Sequence, residues 1–145
     1  MIDHQNRSQM RAYFKVAWKK YTDRIPTEPI ETIIGEVISI HPEYQAMLES
    51  DHEDLDKDYQ PENGQTNPFL HMGMHISLRE QYNSDRPAGI LLLYKKILMK
   101  TGDIHQTEHL IMDCLGESLW QAQRKGQLPD ETAYLNCIKR VFNTI

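Results

Sequence analysis

NPFLHMGMHISLREQY, residues 67–82, carries its helical signature from the first residue. Asn67 suits an N-cap, because its side-chain oxygen can take the first open N–H groups, and Pro68 suits the first helical position, where a missing N–H costs nothing. At about 100° per residue the apolar groups surround nearly the whole circumference and leave Gly73, Ser77 and Glu80 as a narrow polar strip. Such a helix is expected to be largely buried. A buried helix needs apolar partners, and the flanking sequence offers them at helical spacing.

Met10, Tyr13, Phe14, Ala17, Trp18 and Tyr21 recur at i, i+3, i+4 and i+7, with Arg11, Lys15 and Lys19 along a neighbouring stripe that is expected to face solvent. After RIPTEP, residues 24–29, Ile30, Ile33, Ile34, Val37 and Ile38 form a second stripe on which His41 also falls. Pro42 disfavours the α conformation at His41 and opens the next short helix, so His41 is placed at a bend. A further helix is predicted to begin around Pro87 and stop at Gly102, with Asp103 capping the next, which runs to Gly126. Pro129 opens the last. The expected fold is all-α, a single-domain bundle of about five to seven helices spanning residues 1–145. Trp18 and Trp120 lie on or beside apolar arcs and are both expected to be buried.

Residues 51–66 are acidic and turn-rich and read as the longest loop. Asp54, Asp56 and Asp58 imitate the start of a calcium loop, but Tyr59 stands where the sharp turn needs Gly and Gln65 where a bidentate Glu is wanted.

The 145 residues contain no apolar run of the roughly 20 that a bilayer requires, so no membrane insertion is expected. The start lacks the apolar core of a signal peptide, and the two cysteines, Cys114 and Cys137, show no metal or redox spacing; a reducing cytoplasm follows as the expectation. Net charge is −5, yet residues 1–24 hold six Lys or Arg against two Asp, leaving ten against nineteen elsewhere. An acidic body argues against a nucleic-acid partner, whose phosphates need a basic face. A small-molecule or protein partner and an oligomeric state are left open.

Two histidine pairs stand out. HMGMH puts His71 and His75 four apart, and HQTEH does the same for His105 and His109. Residues four apart on a helix have Cβ atoms about 5–6 Å apart, so two imidazoles can converge on one ion. On the second helix, Ile104, Ile111, Met112, Leu115, Gly116, Leu119 and Trp120 form an apolar arc, and His105, Glu108 and His109 fall within it. A carboxylate buried there needs a cation, either imidazolium or metal. His71, His75, His105 and His109 are therefore the candidate ligands of a divalent metal (zinc, iron, manganese or nickel), with His41 as an additional ligand and Glu108 as ligand or catalytic base. The two pairs are expected to face one another. Asp113 could orient an imidazole N–H, whereas Glu80 points away from His71 and His75. An open coordination position would make the protein a hydrolase or an oxidoreductase. The alternative is a non-catalytic interaction or structural protein with a buried histidine and glutamate network.

HQTEH matches the HxxEH pattern of inverted zinc peptidases, but only 36 residues follow His109, where those enzymes carry a distant glutamate ligand. A wider likeness rests on HPEY, NPFLHMGMHISLREQ, DRPAGI, GDIHQTEHLIMDCLGESLWQAQRKG and PDETAYL, which together resemble an uncharacterised bacterial family known as a domain of unknown function. That resemblance implies a small cytoplasmic bacterial protein and brings no activity with it. In arrangement alone the chain is similar to hemerythrin-like and DinB-like bundles, whose full ligand patterns it does not match.

Overall fold

Pro29 and Glu31 show how the local sequence sets each helix. Pro29 fills the first position of its helix, and the Glu31 carboxylate, two residues on, reaches back to accept the Glu28 N–H at 2.8 Å. The computed structural model describes residues 4–50, 57–59 and 67–145, with side chains from residue 7 onward. Among these residues there are seven helices and no strand: α1 (His4–Thr22), α2 (Pro29–Ser39), α3 (Pro42–Glu49), α4 (Pro68–Ser84), α5 (Ile90–Thr101), α6 (Ile104–Lys125) and α7 (Glu131–Thr144). The all-α expectation holds. Most of the proposed 51–66 loop, with Asp54, Asp56 and Gln65, lies outside the described residues; Asp58 pairs with Arg7 at 2.6 Å. None of the helices among the described residues is long and apolar enough to cross a membrane.

Contacts gather into two compact units, residues 1–76 and 77–145. In the first, Ala17 and Trp18 from α1 meet Ile34, Val37 and Ile38 from α2, Leu48 from α3, and Met72 and Ile76 from α4. α1 and α2 approach closely because residue 35 is glycine. A Cβ there would stand 2.5 Å from the Tyr21 ring, well inside van der Waals contact. The basic stripe of α1 departs from expectation. Arg11 is only 5% exposed; its guanidinium lies 4.7 Å over the Phe69 ring and donates to the Lys57 carbonyl at 2.9 Å. An arginine can bury in this way because its flat, weakly hydrated head stacks on an aromatic face. Lys15 is half-buried and donates to the Ser50 carbonyl, and Lys19 alone is fully exposed.

The second unit is built on α5, α6 and α7, which pack pairwise. Asp103 caps α6 by accepting the Gln106 N–H, and Gly102 and Gly126 close α5 and α6 at positive φ, as their positions in the sequence imply. α5 starts at Ile90, later than Pro87, since Asp85 accepts the N–H groups of Gly89 and Leu91 and holds the intervening residues as a turn. Cys114 and Cys137 are joined by a disulfide that ties α6 to α7. The spacing gave no sign of this pairing, which depends on helix packing.

Trp120 corrects the wheel reading, being 52% exposed, and Ile104 and Leu119 are also exposed. The buried side chains of α6 all lie between Thr107 and Leu115. A helical wheel gives the direction of a side chain and not its position along the axis. At 22 residues α6 is about 33 Å long, whereas α5, with 12, covers about 18 Å. Iodide should therefore quench Trp120 strongly and Trp18 weakly in the native protein, which a Trp18→Phe variant will resolve by leaving only the quenchable component.

Candidate functional site

The α2–α3 junction presents His41. Ile38 and Val37 anchor the end of α2 in the core, Pro42 starts α3, and the His41 ring is left 1% exposed at the corner. Its Nδ1 lies 2.7 Å from the Val37 carbonyl. A carbonyl only accepts, so Nδ1 carries the proton, and in the neutral ring the lone pair is on Nε2. This backbone contact fixes the ring orientation, as the outer nitrogen of a metal-bound histidine is commonly fixed.

His71 and His75 project from α4 toward the same place, His75 being 0% exposed. Ring centroids are 5.1 Å apart for His41 and His71, 4.7 Å for His41 and His75, and 4.9 Å for His71 and His75. The first unit thus holds a nearly equilateral triangle of imidazoles. Tyr44, three residues beyond His41 on α3, stacks on the His41 ring and meets the edge of His71. Within the triangle the two α4 imidazoles bring their Nε2 atoms to 3.3 Å.

In the second unit His105 and His109 stand one turn apart on α6, with ring centroids 4.2 Å apart. His109, placed by the wheel within the apolar arc, is exposed at its edge; partial desolvation, and then the neighbouring His105, still hold its imidazole below the ordinary pKa, favouring the neutral ring that metals require. Glu108 between them is 1% exposed. The cation its burial demands is Arg79, whose Nε donates to Glu108 Oε2 at 3.0 Å. Sequence reasoning missed Arg79, although the signal was present: it continues the row His71, His75 by one more turn of α4. Tyr82 stacks on Tyr94 at 4.0 Å, and its buried hydroxyl has no hydrogen-bond partner among the described residues. Burial, with the Glu108 charge, raises the pKa of that phenol well above the ordinary value. Glu80 and Asp113 are exposed.

Each unit therefore brings its own predicted residues together: His41, His71 and His75 in the first, and His105, Glu108 and His109 in the second. Comparison with known proteins adds a family and no activity. The family described as Domain of unknown function (DUF1841) matches residues 6–140. No curated protein and no solved structure matches the chain.

Proposed function

We propose that this chain, which belongs to the DUF1841 family of unknown function, binds divalent transition metal through its histidine clusters, His41, His71 and His75 in the first unit and His105 and His109 in the second. The observation that carries this reading is the imidazole triangle of the first unit, and within it the 3.3 Å between the Nε2 atoms of His71 and His75. Nitrogens bound tetrahedrally at about 2.0–2.1 Å from zinc are separated by about 3.3–3.4 Å, so this pair, hydrogen-bonded as it stands, could take an ion with little movement. A donor set of imidazoles suits zinc, iron or nickel better than manganese, which prefers carboxylate and water.

An ion in such a set with a position left for water would support hydrolysis or redox chemistry. In this reading Glu108, held by Arg79, is the general base beside His105 and His109. One observation favours the non-catalytic alternative: Arg79 gives Glu108 its cation without any metal, as expected of a satisfied internal network. As for location, the expected cytoplasm stands against the Cys114–Cys137 disulfide, since such bonds in reducing compartments are usually transient or redox-responsive.

Metal titration of untagged, chelator-stripped protein separates the two readings. His105→Ala or His109→Ala should lower both metal content and melting temperature, because binding to the native state adds its free energy to stability. His4→Ala and His52→Ala, at positions whose side chains lie outside those described, should change neither. Equal metal uptake by wild type and all five ligand variants would overturn the proposal.

A further inference from the structure

We propose that the groove between α6 and α7 is a thiol–disulfide exchange site for a small zwitterionic thiol. The groove has a volume of about 340 Å³, within the range of small-molecule sites, and the Cys114–Cys137 disulfide forms part of its wall. Its lining is charged in both signs, with Lys125 and Arg140 against Glu117 and Asp130. Arg140 lies three residues beyond Cys137 and Glu117 three residues beyond Cys114, so each disulfide half has a charged neighbour on its own helix face. A molecule carrying carboxylates and an ammonium group beside a thiol meets complementary charges on both sides of the bond.

Access assigns the sulfur that is attacked. Cys114 is 2% exposed and sits in the core of the unit, whereas Cys137 is partly exposed. Exchange depends on which sulfur the thiolate can reach, and nearby cations assist both its approach and the departure of sulfur as thiolate. The incoming thiolate attacks Cys137 Sγ, forming the mixed disulfide; the Sγ–Sγ bond breaks, and Cys114 leaves with the electron pair and takes up a proton. A second thiol then attacks the mixed disulfide and releases the small-molecule disulfide. Two thiols are oxidised, the protein disulfide is reduced, and the protons lost by the thiols are those gained by Cys114 and Cys137.

The test uses the intact, air-oxidised protein, with reduced glutathione as the zwitterionic probe and 2-mercaptoethanol as the uncharged one, at matched thiolate concentrations. Acid quenching and peptide mapping should find the glutathione adduct on Cys137, formed faster than the mercaptoethanol adduct. The double variant Lys125→Gln, Arg140→Gln should slow the glutathione reaction about three- to fivefold more than the mercaptoethanol reaction, which loses only the cationic help to the thiolates that both probes share. Both replaced residues are exposed, and the mercaptoethanol rate reports whether the fold around the disulfide is intact. A disulfide that reacts only after denaturation would be a structural staple and would overturn the proposal. So would an adduct on Cys114, equal rates with the two probes, or two free thiols in the air-oxidised chain.

Discussion

Glu108→Ala is expected to destabilise the protein by ~3–5 kcal/mol, among the largest effects of any single substitution outside the apolar core. The change leaves the Arg79 guanidinium largely buried, with its side chain 15% exposed, and without its carboxylate. Arg79→Ala should cost a comparable amount, since it leaves the Glu108 charge inside. Replacing both at once, Arg79→Met with Glu108→Leu, should recover most of the loss, because two apolar groups of similar volume avoid both desolvation penalties. Urea denaturation of the four proteins measures this. Single-variant losses below ~1 kcal/mol would mean that the pair is solvated and weak.

Metal removal should have an effect of similar size. An ion present at about a thousand times its dissociation constant adds about 4 kcal/mol to the native state, which for a chain of this length corresponds to roughly 10 °C in melting temperature. A chelator should therefore lower the melting temperature of the wild type and leave that of His75→Ala unmoved. The quantity to compare is the response to chelator and not the starting temperature, since the loss of a fully buried ring destabilises on its own account. The core-network alternative predicts no chelator response in either protein.

Most of the helices were legible because their signals are local. Asn67 does accept the N–H groups of Phe69 and Leu70, Asp103 does cap α6, and Gly102 and Gly126 do end helices in the left-handed conformation. His41 was legible as a bend residue for the same reason: Pro42 restricts the backbone immediately before it. What escaped was whatever depended on packing at a distance. Arg11 carries an exposed-stripe pattern, yet Phe69, 58 residues later, offers its guanidinium a ring face. Trp120 stands at the margin of the apolar arc, about 80° round the wheel from Met112, and also lies farther along the axis than the buried part of α6. Glu108 was identified as needing a cation, but choosing Arg79 over an imidazolium required knowing which turn of α4 reaches it. The disulfide likewise records the pairing of α6 with α7, which no spacing within either helix encodes.

Elemental analysis of the untagged wild-type protein, expressed in medium containing zinc, iron, manganese and nickel and passed through gel filtration, tests the metal-binding reading most directly. The imidazole set predicts about one retained ion per chain or more, with zinc, iron or nickel above manganese, and its loss in His75→Ala. Only trace metal in the wild type, or the same metal content in wild type and variant, would contradict it.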